Sequence, residues 1–255
     1  MMKENKNKPN LYNSKEKPPC PFCKERYENM KVDGQGILEH ESEKFFWVNN
    51  KFPVIADLHM TMMLLLDECN EGIPDYSIDR IQKLIDYSLW CEKEMKQIYG
   101  YKHVVIMQNY GYLSGGSVPH PHFQINGIRN PEIVPKNDLI HYENGHLIEE
   151  SEDKNSRLSF TSNPLSEKYE LDISWKGDKM TEEAALYLKQ ATDYTRHFKE
   201  KTYKHYNLLF NYDEVNDIHY IKVIYREPVS AYLFLDLHMT IDPTEFIENF
   251  KNHYK

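Results

Sequence analysis

The chain has 255 residues, 40% hydrophobic and 28% charged, with 31 Lys+Arg against 40 Asp+Glu for a formal net charge of −9. That is the composition of a folded chain with one large domain or two small ones, which excludes wholesale disorder. The acidic total excludes a general nucleic-acid coat, and the longest apolar run, Met62 to Leu66, falls far short of the roughly 20 residues of a membrane span.

Residues 1–19 are rich in Lys and Asn, lack the apolar core of a secretory signal, and read as a flexible tail. A cytoplasmic chain follows, in which thiols stay reduced and the four cysteines are metal ligands or buried thiols. Cys20-Pro-Phe-Cys23 has the spacing of two thiolates in a tetrahedral zinc site, and that spacing alone also suits a redox pair or two buried thiols. Lys44 to Asn49 and Met60 to Leu66 read as strands. Ser77 to Tyr99 spaces Ile78, Ile81, Leu84, Ile85, Leu89 and Met95 along one helix face, with Ser77 as N-cap and Gly100 as stop; Cys91, mid-helix, reads as a core thiol.

YKHVVIMQNY (101–110) reads as a buried strand, and a second begins near His122 after a Gly/Ser/Pro loop. The stretch 131–168 is polar and loop-rich, with a hairpin expected to turn at Asn144-Gly145. A second long helix is expected from Thr181 to Thr202, then strands at 203–214 and 219–228, an apolar run AYLFLDLHM, and a short helix near Pro243 to His253. YKHYNLLFNY (203–212) repeats the Tyr, Lys, His, Asn and Tyr of 101–110 at a distance of 102 residues, again behind a long helix. The fold expected is α+β: two duplicated halves, 20–130 and 169–255, with antiparallel sheet and packed helices, joined by 131–168.

The loop NYGYLSGGSVPHPHFQ (109–124) carries the chemistry. Gly115 and Gly116 allow the positive φ with which successive amides converge on an anion. Ser117 adds a hydroxyl, Asn109 and Gln124 add amides, and strand alternation puts His120 and His122 on one face. One imidazole can then bind a metal or hold structure while the other faces a phosphate.

Asn109, Gly111, Gly115, Ser117 and His120-Pro-His122-x-Gln124 together resemble the signature of the galactose-1-phosphate uridylyltransferase family, in the histidine-triad-like superfamily. The resemblance extends to CPFC and to VNNKFP, and weakly through the repeat to the second half. It implies that His122 is the nucleophile that accepts a nucleotidyl group and that Gln124 holds a phosphate oxygen. Asn109, Ser117 and the Gly115–Gly116 backbone would stabilise the remaining oxygens, and Asn50 and Lys51 would grip ribose and base. It also implies zinc on Cys20, Cys23 and His120, with Cys69 standing where the family usually places a histidine.

Setting HPHFQI against HYIKVI aligns His120 with His219, His122 with Ile221 and Gln124 with Val223, so the second half reads as degenerate. His141, His146, His197 and His253 read as solvated. The function implied is a zinc-containing nucleotidyltransferase, or a nucleotide-sugar or dinucleoside polyphosphate phosphorylase. A nucleotide hydrolase and a catalytically silent nucleotide-binding protein are the alternatives. Its partners would be a nucleotide or nucleotide-sugar substrate, with no nucleic acid and no membrane; a homodimer stays open.

Overall fold

Ser77 and Gly100 bracket the first helix as expected. In the computed structural model, which describes residues 20, 22, 37–40, 43–50, 58–64, 69, 71–128, 137–166, 169–197, 205–226 and 243–254, helix α1 runs Ile78–Tyr99. The Ser77 hydroxyl oxygen accepts from the Arg80 amide at 3.2 Å, and Gly100, at φ +67°, donates its N–H to the Met95 carbonyl. Ile81, Leu84, Ile85, Leu89 and Met95 are buried, which is the face the spacing predicts. Cys91 is buried with them, and burial pushes its thiol well up from the ordinary value. The apolar run 231–239 and the tail 1–19 lie outside the described residues.

The chain divides into two compact units, residues 1–136 and 137–255. In the first, strands β1 (Ile37–His40), β2 (Glu43–Asn49), β3 (Leu58–Leu64), β4 (His103–Tyr110) and β5 (His122–Ile128) pair antiparallel in the order β1-β2-β3-β5-β4. β1, only four residues long, is too short for its alternation to show in the sequence. In the second unit, β6 (His146–Glu150), β7 (Ser156–Phe160), β8 (Glu170–Lys176), β9 (His205–Asp213) and β10 (Ile218–Arg226) pair in the order β6-β7-β8-β10-β9.

The two orders are one topology. Among the described residues, each unit runs through three strands, a helix and two more strands, the last inserted between the third and fourth. α1 stands before β4, and α2 (Glu182–His197) stands before β9. The duplication expected from the sequence is therefore present: two α+β halves of histidine-triad-like form, each an antiparallel sheet with a packed helix. Helix α3 (Pro243–Tyr254) closes the chain, with Phe246 and Phe250 buried around Tyr194 at ring separations of 5.6 and 4.8 Å.

Two sequence expectations change. Asn144-Gly145 is a turn, with Asn144 at φ +59°, but it follows a 3₁₀ turn at Leu139–His141 and not a strand. The hairpin lies one turn later, between β6 and β7. There Asp153 accepts from the Asn155 amide at 3.0 Å and from the Ser151 hydroxyl at 2.6 Å, and Lys154 takes φ +60°. Local side-chain hydrogen bonds at Ser151–Asn155 outdo the Asn-Gly dipeptide in closing it.

The second change is the register of the repeat. Gln124 pairs with Met107, and Lys222 pairs with Leu209, and Met107 and Leu209 stand 102 residues apart at matching places in the two copies. The counterpart of Gln124 is thus Lys222 and not Val223, and that of His122 is Tyr220 and not Ile221. The faces agree. A Cβ on Gly127 would lie 2.7 Å from the Tyr101 ring and 2.9 Å from the Met95 methyl of α1, so Phe123, Ile125 and Gly127 face their helix. In the second half Tyr225 donates to the Ala191 carbonyl of α2 at 2.9 Å, so Ile221, Val223 and Tyr225 face theirs. The one-residue slip would have put His122 under α1.

Candidate active site

Alternation along β5 sorts the motif into two sets. Phe123 and Ile125, 1% and 0% exposed, go into the core with α1. His122, Gln124 and Asn126 share the opposite face. Met107 pairs with Gln124, so Asn109, two residues on, lies on that same face of β4. β5 pairs with β3 on one side and β4 on the other, and this two-sided pairing fixes Gln124 opposite both Thr61 and Met107. Gln124 is 6% exposed, and its amide makes no hydrogen bond among the described residues. The Ser117 hydroxyl likewise makes none among them.

The loop between β4 and β5 is shaped by its glycines. Gly111 and Gly115 take φ of +85° and +84°. Gly116 is required for a different reason: a Cβ there would lie 2.7 Å from the Gly111 carbonyl oxygen and 3.0 Å from that of Asn109. The Gly115 amide donates to Tyr112 O at 3.2 Å and the Gly116 amide to Gly111 O at 3.1 Å. The anion-cradling role expected for these two amides is thus replaced by loop closure, because both N–H groups already have carbonyl partners inside the loop.

His122 Nδ1 lies 2.8 Å from the backbone oxygen of His120. A carbonyl can only accept, so the proton sits on Nδ1 and the ring's lone pair on Nε2. The ring is half-buried, at the first position of β5. His120, 1% exposed, turns its own ring to the sulfurs. Cys69 Sγ is 3.9 Å from His120 Nδ1, and the ligand atoms of Cys20, Cys69 and His120 lie within 4.8 Å of one another. Two ligands of one tetrahedral zinc, a sulfur and a nitrogen, are roughly 3.6 Å apart, so the donor set and its spacing fit zinc. Neither Cys20 nor Cys69 is in a disulfide. Cys23 and Lys51 lie outside the described residues. Asn50, half-buried, follows β2 directly.

The corresponding face of the second half is filled by its own side chains. Lys222, 0% exposed, donates to the Thr161 hydroxyl at 2.8 Å and pairs with Asp172 at 2.7 Å and Glu170 at 3.3 Å. The Tyr142 ring covers the ammonium at 4.8 Å and packs at 5.6 Å on Tyr220, the counterpart of His122. Burial pushes the Asp172 carboxyl up to about 6, against the downward pull of the Lys222 ammonium beside it. An ammonium therefore stands where the first half has the Gln124 amide. The sequence reading missed this cluster; strict alternation from Lys222 back to Tyr220 is the signal that locates it.

No helix among the described residues is long and apolar enough to cross a membrane. No curated protein matches the chain in sequence. Solved structures do. An ADP-glucose phosphorylase from Arabidopsis thaliana with bound ADP-glucose is 12% identical with a TM-score of 0.65, covering 93% of this chain and 90% of that one. A uridylyltransferase is 14% identical with a TM-score of 0.63, covering 95% and 94%. A DUF4931 family protein from Bacillus cereus is 22% identical with a TM-score of 0.72, covering 86% and 99%. At these identities the likeness is one of fold, and it is the duplicated histidine-triad-like fold described above. The family model described as the N-terminal domain of a domain of unknown function, DUF4931, matches residues 1–131, just over half of the chain. The chain belongs to the DUF4931 family.

Proposed function

We propose that this protein is a nucleotidyltransferase or nucleotide-sugar phosphorylase that works through a nucleotidyl-His122 intermediate. The observation that carries the reading is the hydrogen bond from His122 Nδ1 to the His120 carbonyl, which puts the ring's lone pair on Nε2 and so supports that nitrogen as the nucleophile. The Nε2 lone pair attacks the α-phosphorus of a nucleoside diphosphate sugar or dinucleoside polyphosphate. A P–N bond forms, and the P–O bond to the bridging oxygen breaks, the leaving phosphate departing with the electron pair. The ring then carries positive charge, and the Nδ1–H held by the carbonyl stabilises it. Gln124, Asn109 and Ser117 donate to the phosphoryl oxygens as their charge shifts. An acceptor phosphate attacks in turn and releases His122.

Asn50 and Lys51 hold ribose and base in this reading, while Gly115 and Gly116 shape the loop that presents Ser117. Cys20, Cys23, Cys69 and His120 would hold zinc, which would supply a structural cross-link at the residue whose carbonyl orients His122. The fold shared with an ADP-glucose phosphorylase and a uridylyltransferase supports the reaction class.

The test is covalent. The protein is incubated with UDP-glucose, ADP-glucose and a diadenosine polyphosphate, each labelled at the α-phosphate. A phosphoramidate, stable in alkali and labile in acid, is expected with at least one donor and is absent in His122→Ala. Turnover that survives His122→Ala rejects the mechanism. Release of nucleotide at equal rates with and without acceptor phosphate reassigns the protein as a hydrolase, and tight nucleotide binding without adduct or turnover reassigns it as a binding protein.

A further inference from the structure

Asp193 and His197 stand one turn apart on α2, and His253 comes from the last turn of α3. The sequence reading took both histidines as simply solvated, and the fold brings them together. Asp193 Oδ2 is 3.6 Å from His197 Nε2, the two imidazoles are 4.5 Å apart between ring centres, and one ligand atom from each of the three residues lies within 4.8 Å of the other two. Two imidazoles this close repel one another when both are protonated. A cation between them turns the same closeness into an attraction.

We infer that Asp193, His197 and His253 form a second metal site, for a divalent ion of the zinc class, that clamps α3 onto α2. The donor set decides the ion: two imidazole nitrogens and one carboxylate oxygen suit zinc, nickel or copper and not calcium or magnesium, which ask for oxygen. The backbone under the site is already set. Phe246 and Phe250 seat α3 on Tyr194, and the Tyr254 hydroxyl donates to the Gln190 carbonyl at 2.8 Å. The ligands therefore converge without helix movement. Arg196 engages Asp193 through the other carboxylate oxygen, Oδ1, at 3.8 Å, while Oδ2 faces His197 at 3.6 Å and accepts from the Tyr254 hydroxyl at 3.4 Å, a contact that keeps one lone pair for an ion. With three protein ligands, water completes a tetrahedron. Because the ion joins two helices that part on unfolding, binding stabilises the native state by mass action.

This site is independent of the Cys20–Cys69–His120 cluster, and its test keeps the two apart. The full chain, as purified, is titrated with zinc by calorimetry and with cobalt by absorption. One added equivalent is expected, with the visible bands of a nitrogen and oxygen ligand field and no new thiolate charge-transfer band, and the melting midpoint should rise on zinc addition. In His253→Ala and in His197→Ala, both exposed positions, the added equivalent and the zinc-induced rise should vanish while the metal-free melting midpoint stays in place. An unchanged added equivalent in both variants, thiolate charge transfer in the cobalt spectrum, or binding that needs a large molar excess of zinc overturns the inference.

Discussion

The imidazole of His122 is tied to the backbone of His120: Nδ1 lies 2.8 Å from the carbonyl oxygen two residues upstream. The same residue, His120, directs its own ring to Cys69 Sγ at 3.9 Å. The orientation of the proposed nucleophile and the integrity of the Cys20–Cys69–His120 cluster thus rest on one buried residue, and perturbing the sulfurs should reach the chemistry.

Removal of the proposed nucleophile should suppress the proposed reaction and spare the fold. His122 is half-buried at a strand end, so His122→Ala should shift the melting midpoint little while lowering nucleotidyl transfer by about 10³-fold or more. Transient kinetics of adduct formation, with circular dichroism as the fold control, measure both.

Gln124→Ala separates phosphate binding from attack. No hydrogen bond from its amide is made among the described residues, so its loss should cost the fold little beyond packing. Adduct formation should slow by about 10²-fold, the scale of one lost donor to a charge-developing oxygen. A variant whose only change is a weaker substrate affinity would move Gln124 from the transition state to ground-state binding.

Cys69→Ala should lower zinc content, reduce the melting midpoint by about 5 °C or more, and depress activity through His120. Metal analysis and calorimetry on the same preparation provide the check. Full zinc occupancy with unchanged melting removes Cys69 from the ligand set.

Gly116→Ala tests the loop. The added methyl would meet two backbone oxygens, at 2.7 and 3.0 Å, and neither can swing aside as a side chain would. A cost of about 1–3 kcal/mol is expected, together with slower nucleotidyl transfer because Ser117 is displaced. Chemical denaturation and the adduct assay measure the two effects.

The buried cluster of the second half should respond to pH. Asp172 is pushed up to about 6 in the folded chain, from the ordinary value of 3.8. The folded state therefore holds the proton more tightly than the unfolded one. Its contribution to stability is fully present below the ordinary value and is lost as pH rises through about 6. Asp172→Asn should flatten this part of the stability profile between pH 4 and 7. Lys222→Met leaves Glu170 and Asp172 without their cation and should cost about 3–5 kcal/mol. Urea melts across that pH range test both variants.

Local sequence determined much of this protein. Ser77, Gly100 and the apolar spacing between them set α1, and the YKH…NY repeat marked the duplication, because these signals depend on neighbours in the chain. The motif 109–124 was legible for the same reason: alternation along one strand puts His122 and Gln124 on one face, and the pairing of Met107 with Gln124 then adds Asn109 to it. What tertiary structure decided is what depends on partners distant in sequence. Cys20 and Cys69 come within reach of His120 only through the fold. The counterpart of Gln124 had to be read from strand pairing, since a one-residue slip between copies exchanges the two faces of β10, and the burial of Lys222 among carboxylates follows from partners distant in sequence. His197 and His253, 56 positions apart and unremarkable as sequence, meet because aromatic burial seats α3 on α2. Periodicity reports which face a residue takes, and only packing reports what that face meets.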